Sequence, residues 1–118
     1  MRILVAVHDL MFSSKINAAA KGGPHEIAWL PRGASVVDKV REAKPDALVI
    51  DLGNAALRAV EAIQSLKASD DTKGVHVIAY AGHTEEATIA AARAAGCDEL
   101  YSKGEFAQRL PMLLGAAR

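Results

Sequence analysis

The stretch Lys44-Pro45-Asp46-Ala47-Leu48-Val49-Ile50-Asp51-Leu52-Gly53-Asn54 decides how this chain folds. Pro45 ends the helical pattern before it. Four apolar residues follow without a break, and an acid, a glycine and an asparagine close the run. A short continuous apolar run bounded in this way suits a strand covered on both faces. Asp51 then stands at the carboxyl tip of a buried strand, the edge where open α/β sheets place their chemistry.

Two other runs end alike. Ile3-Leu4-Val5-Ala6-Val7-His8 leads into Asp9, and Leu100-Tyr101 is followed closely by Lys103. The apolar runs predict strands at roughly 2–8, 25–30, 46–51, 75–81 and 98–101, alternating with five helical patterns. The first helix carries Phe12, Ile16 and Ala20 on one face and stops at Gly22-Gly23-Pro24. The second opens at Ser35 with Asp38 three residues on, a capping-box pattern, and turns Val36, Val37, Val40 and Ala43 inward. A third is expected from about Ala55 to Ala68, with Leu57, Val60, Ile63 and Leu66 inward. The fourth is expected to be capped by Thr84, with Glu85 and Glu86 at its positive end, and to close at Gly96. The last carries Leu110, Leu113 and Leu114, with Pro111 expected in its first turn. This alternation implies βαβ units and a doubly wound five-stranded parallel sheet, order 2-1-3-4-5, with helices on both faces.

Composition narrows the function. The 118 residues fit one domain, 1–118, with no output domain expected, and 51% apolar content can build a core without staples. The formal net charge is zero and no basic stripe stands out, which argues against nucleic acid as a partner. The single cysteine, Cys97, excludes an internal disulfide and a multi-cysteine zinc site, and reads as a small core residue. No segment suits a membrane span, and Met1-Arg2 leads directly into a strand. A cytoplasmic protein is the expectation.

With strands 1 and 3 adjacent, Asp9 and Asp51 meet at one corner. Two close carboxylates repel unless a cation or proton intervenes. Magnesium suits such oxygens and keeps several waters, and the carbonyl of Gly53 could add a ligand. Lys103 could reach the same corner and neutralise a phosphoryl oxygen. Each residue also has a plainer reading: Asp9 and Asp51 as helix caps, Lys103 as a solvated surface lysine. His8 and His83 could join the two acids around a transition metal. His25 and His76 read as strand-edge residues without chemistry, and Trp29 and Tyr101 as half-buried packing.

The segments MRILVAVHD, KPDALVIDLGN, VIAYAGHT and AAGCDELYSK resemble the receiver domains of two-component response regulators, over essentially the whole chain. The resemblance implies the flavodoxin-like receiver fold, with Asp51 as the position that accepts a phosphoryl group from a histidine kinase. It implies Lys103 as the phosphate-contacting lysine, and Asp9, Asp51 and Gly53 as the magnesium corner. The pattern is also broken. The acid pair after strand 1 reads His8-Asp9. The hydroxyl residue ending strand 4 is Ala81. The aromatic residue three before the lysine is Leu100, and the proline after the lysine is Gly104. Ala81 cannot bond a phosphoryl oxygen, and Leu100 has no ring to rotate. A unit charge pair at ~4 Å is worth roughly 4 kcal/mol at an effective dielectric of 20. Losing one acid to His8 therefore implies weak magnesium binding. The pattern is that of an atypical or pseudo-receiver.

A stand-alone signalling module that binds a protein partner, a histidine kinase or a downstream protein, is therefore expected, as a monomer or weak homodimer. Its polar face would carry Arg93, Glu99, Tyr101 and Arg109. The alternatives are a phosphorylation-independent adaptor and a small flavodoxin-like enzyme. Against the enzyme, the turn His8-Asp9-Leu10-Met11-Phe12-Ser13-Ser14 lacks a glycine-rich phosphate loop.

Overall fold

A computed structural model of the chain describes residues 1–115. Strands β1 (Arg2–Ala6), β2 (Glu26–Trp29), β3 (Ala47–Asp51), β4 (His76–Ala81) and β5 (Glu99–Ser102) form one sheet in the order β2-β1-β3-β4-β5. Every pairing is parallel. Helices α1 (Leu10–Ala20), α2 (Val36–Ala43), α3 (Ala59–Ala68) and α4 (Glu86–Ala95) make the crossovers, and α5 (Lys103–Leu114) follows β5. The doubly wound expectation holds in strand number, direction and order.

Side-chain alternation along the strands divides the core in two. Ile3, Val5, Val49, Ile78 and Tyr80 pack with Phe12 and Ile16 of α1 and with Phe106, Leu110 and Leu114 of α5. Leu4, Ala6, Leu48, Ile50, Val77, Ala79 and Ala81 pack with Val36, Val40, Ile63, Leu66 and Ala92 of α2, α3 and α4. All five residues of β3 are buried, as its unbroken apolar run requires.

Local signals set most helix ends. Asp9 accepts the N–H of Phe12 at 3.0 Å and caps α1. Ser35 accepts the N–H of Asp38 at 3.2 Å and caps α2, though only this half of the capping box forms. Ser102 and Glu105 form a complete capping box at α5. The chain leaves α4 through Gly96 at φ +103°, a left-handed conformation that costs glycine little.

Four expectations are corrected. Strand β1 ends at Ala6, so Val7 and His8 belong to the turn into α1. The third helix is not continuous: a 3₁₀ turn at Ala55–Leu57 is separated from α3 by Arg58 at φ +48°, and Val60 is only half-buried. Thr84 does not cap α4; Glu85 precedes its first residue, and its carboxylate reaches back to the N–H of Gly82 at 2.9 Å. Pro111 lies deep inside α5, not in its first turn, because the Ser102 cap starts that helix at Lys103.

Candidate functional site

The carboxyl ends of β1 and β3 meet the turns after β4 and β5 at one edge of the sheet. There His8, Asp9, Arg32, Asp51, Gly53, Asn54, Glu85 and Lys103 line an open cleft of 320 Å³. Asp9, Asp51, Gly53 and Lys103 are thus brought together from two loops, a strand end and the start of a helix, as their shared topological position requires.

Asp51 is 7% exposed, one of the few buried polar residues among those described. Its Oδ1 accepts the N–H of Gly53 at 2.9 Å, and Oδ2 has no hydrogen-bond donor among the described residues. Burial pushes its carboxyl above the usual range. The Gly53 N–H and the Lys103 charge work against that rise, while the negative charges of Asp9 and Glu85 add to it. The space over Gly53 is tight, so that a side chain there would push on the Glu85 and Asp51 carboxylates. A Cβ on Gly53 would stand 3.0 Å from Glu85 Oε1 and 3.3 Å from Asp51 Oδ1.

Asp9 fits the plainer reading and also sits at the cleft. Its Oδ1 caps α1 and its carboxylate lines the cleft. Lys103 is exposed at the first position of α5, and its charge reaches Asp51. His8 lines the cleft with its ring committed elsewhere, Nε2 lying 2.8 Å from the Leu30 carbonyl oxygen. His83 is exposed and is not among the lining residues, so the His8–His83 transition-metal set is not assembled. Among the described residues no three histidine, cysteine or acidic side chains are grouped to hold a metal. The set Asp9, Asp51 and the Gly53 carbonyl supplies only hard oxygens, one of each carboxylate pair already committed to an amide. Such a set suits a magnesium-like cation that keeps most of its waters.

Ala81 is fully buried at the end of β4, level with Ser102 of β5. Leu100 is level with Ala79 and packs against the core beneath α2, α3 and α4. Neither offers a polar atom to the cleft.

The structure adds residues that sequence reasoning missed. Glu85 and Arg32 join the cleft from loops, Arg32 donating to the His8 carbonyl at 3.0 Å. No sequence spacing ties either to Asp51. Tyr80 lies level with Asp51 on the adjacent strand and so points to the same face of the sheet. Its ring stacks against Phe12 and Phe106, with centroids at 4.8 and 4.6 Å, and those two rings lie 6.0 Å apart. Burial, then the charges of Asp51 and Asp9, push its hydroxyl far above its ordinary pKa. Read as one letter of an apolar run, Tyr80 gave no sign of this; the signal lay in the strand register.

Elsewhere, His76 is not idle, since it pairs with Glu99 and lies 4.0 Å from Asp98. His25 Nδ1 lies 3.4 Å from the terminal amine. Cys97 is half-buried against the core, its thiol on the Glu99 carbonyl at 3.1 Å, and burial raises its pKa. Trp29 is 37% exposed, more open than expected. Tyr101 is half-buried, bonded to Glu99 and covered by the Arg109 guanidinium at 5.0 Å from the ring centre. No helix among the described residues is long and apolar enough to cross a membrane.

No protein-family model matches the chain, and no curated protein sequence matches it. Solved structures do match it. A response regulator from Hahella chejuensis superposes with a TM-score of 0.82 at 17% identity, covering 96% of this chain and 91% of that one. The response regulator domain of Thermotoga maritima CheB gives 0.74 at 22% identity, covering 97% and 90%. The Mn(2+)-bound form of response regulator Rcp1 gives 0.77 at 15% identity, covering 99% and 96%. The chain has the receiver fold.

Proposed function

We propose that this chain is a receiver-type signalling protein that carries its phosphoacceptor at Asp51 and acts by binding a protein partner rather than by turning over a small molecule. The observation that carries this reading is the buried Asp51 carboxylate at the end of β3. One of its oxygens is fixed by Gly53, the other lacks a donor, and the Lys103 charge lies close by. Desolvation makes such a carboxylate a stronger base and a better nucleophile than a solvated one. Asp51 Oδ2 would form the new P–O bond as the P–N bond of a phosphohistidine breaks, the departing imidazole keeping the electron pair and taking up a proton. Lys103 would offset charge on the phosphoryl oxygens. A divalent cation at Asp9, Asp51 and the Gly53 carbonyl would supply further charge compensation. Its hold is weak, because His8 replaces an acid and is tied to Leu30.

A second reading, an adaptor that works without phosphorylation, is favoured by Ala81 and Leu100. Those positions lack the hydroxyl and the ring through which a phosphorylated receiver would change its α4–β5 surface. In either case the partner is a protein, a histidine kinase or a downstream component, and the setting is cytoplasmic. We expect a monomer or weak homodimer: on the α4–β5–α5 face, Tyr101 bonds Glu99 and lies under the Arg109 guanidinium, so Glu99 and Tyr101 are engaged within the chain.

Amide NMR with magnesium and beryllofluoride, which mimics a phosphoryl group on aspartate, separates the readings. Saturable shifts around Asp9, Asp51 and Lys103 that vanish in Asp51→Asn support the phosphoacceptor. The absence of any shift at millimolar concentrations leaves the adaptor.

A further inference from the structure

Tyr80 is 0% exposed, yet its hydroxyl makes no hydrogen bond of good geometry; the Asp51 carboxylate lies near enough to act on it but is not a satisfied acceptor. Buried hydroxyls are rarely left so, because water has been given up and nothing returned. The side chain is not free to turn elsewhere. Phe12 and Phe106 both stack against the ring, with interplanar angles of 24° and 14°, and against each other with centroids 6.0 Å apart, so the three rings form one compact cluster. Strand register sets Tyr80 opposite Asp51, and their side chains share the α1–α5 face of the sheet. The charges that act on the hydroxyl are those of Asp51 and then Asp9, the two acids of the cleft. A donor has been fixed in an aromatic cluster and aimed at the Asp51 corner.

Ala81, next along β4, has no hydroxyl, and consecutive strand residues face opposite sides of the sheet. We propose that Tyr80 is a phosphoryl-contacting residue, its hydroxyl donating to the group carried on Asp51 in place of the hydroxyl missing at position 81. The inference rests on the phosphoacceptor reading of Asp51. It also names a route. Because the ring packs against both Phe12 of α1 and Phe106 of α5, a shift of the hydroxyl toward its acceptor moves that cluster. Occupancy of Asp51 is then felt at α1 and α5, on the face opposite the one that Ala81 and Leu100 serve.

Tyr80→Phe removes one oxygen and keeps the stack. The test is titration of wild type, Tyr80→Phe and Asp51→Asn with beryllofluoride at fixed magnesium, followed by amide and aromatic NMR. Tyr80→Phe should keep the wild-type fold and melting temperature or gain slightly. It should bind the mimic about tenfold more weakly, as expected for losing a hydrogen bond to a charged acceptor. Shifts of the Phe12 and Phe106 ring signals on saturation should be present in wild type and absent in the variant. A second measurement does not depend on that variant folding. In Tyr101→Phe, Tyr80 is the remaining tyrosine, and its near-ultraviolet absorption should shift when the mimic binds. Binding by Tyr80→Phe within twofold of wild type, or an unmoved Tyr80 absorption band at saturation, overturns the role of Tyr80 and leaves Asp51 standing. Failure of wild type to bind, or equal binding by Asp51→Asn, overturns the phosphoacceptor reading itself and the role of Tyr80 with it.

Discussion

Glu85 stands over Gly53: its Oε1 lies 3.0 Å from where a Gly53 Cβ would be, while its Oε2 accepts the Gly82 N–H at 2.9 Å. The carboxylate is thereby held beside Asp51, whose carboxyl it helps to push upward after burial and Asp9 have done so. Glu85→Gln keeps an acceptor for Gly82 and removes the charge. The Asp51 carboxyl should then titrate at lower pH, as followed by carbonyl-carbon NMR in metal-free buffer. An unchanged or higher value would mean that Glu85 is electrostatically remote from Asp51. Screening in an open cleft keeps the effect modest, roughly 0.5 kcal/mol.

Asp51 itself is expected to cost stability at neutral pH. Its folded carboxyl titrates above the unfolded one, chiefly through burial. The sign follows from linkage. Its stabilising contribution is complete below the unfolded value of about 3.9 and is lost as pH rises through the folded value. Asp51→Asn keeps an oxygen for the Gly53 N–H and carries no charge. It should melt higher than wild type at pH 7, by on the order of 1 kcal/mol or roughly 4 °C, with the gap closing toward pH 3. Thermal melts across that range decide the point, and a variant that melts lower at pH 7 would contradict it.

At the opposite edge of the sheet the sign reverses. Asp98 Oδ2 lies 2.7 Å from Lys67 Nζ and accepts the Val77 N–H at 2.8 Å. Burial alone would raise the Asp98 carboxyl, but the Lys67 and Val77 hydrogen bonds outweigh it and bring it below the usual range. This contribution is present above the unfolded value and is lost as pH falls through the folded one, below about 3.9. With a third of the Asp98 side chain solvated, Asp98→Ala should cost only about 1 kcal/mol at pH 7. Denaturant midpoints for wild type and variant should converge in strong acid; a constant offset down to pH 2 would show that the loss is not electrostatic.

The same lysine limits what Gly96 can become. Gly96 ends α4 at φ +103°, and a Cβ there would meet Lys67 Cγ at 3.2 Å. Gly96→Ala should therefore lose about 1 to 2 kcal/mol, from left-handed strain and from displacement of a side chain that holds Asp98. Urea unfolding would read it, and a neutral result would mean that the turn relaxes freely.

Different parts of the molecule were legible to different degrees, for physical reasons. The unbroken apolar run Ala47–Ile50 announces a strand buried on both faces, and Asp51 after it marks the sheet edge. Each strand tip is legible from local sequence, and the sheet order that the strand–helix alternation implies then brings Asp9, Asp51, Gly53 and Lys103 to one corner. The start of α5 was also written locally, in Ser102 and Glu105, although Pro111 drew the expected start several residues too late. The break at Arg58 was not legible, because nothing in an arginine announces a left-handed backbone. Glu85 and Arg32 reach the cleft through loop geometry. Tyr80 depends on strand register, a property of two segments rather than one.

Occupancy of Asp51 should leave the α4–β5 surface unmoved. A ligand shifts an equilibrium only by its differential affinity for two states, and here the usual state-dependent pieces of that surface are absent. Ala81 is fully buried and offers no hydroxyl, while Leu100 on β5, level with Ala79, packs into the core beneath α2, α3 and α4 and carries no ring to swing. Lys103 remains, but it begins α5 and lies on the other side of the strand end. Beryllofluoride should therefore perturb amides near Asp9, Asp51 and Lys103, together with the Phe12–Tyr80–Phe106 stack. The amides of Arg93 and Leu100 should stay where they are, and a partner held on the α4–β5 face should bind Asp51→Asn as well as wild type. Shifts that spread to Arg93 and Leu100 and vanish in Asp51→Asn would show that this surface is coupled to Asp51 by contacts other than a hydroxyl at position 81 and a ring at position 100.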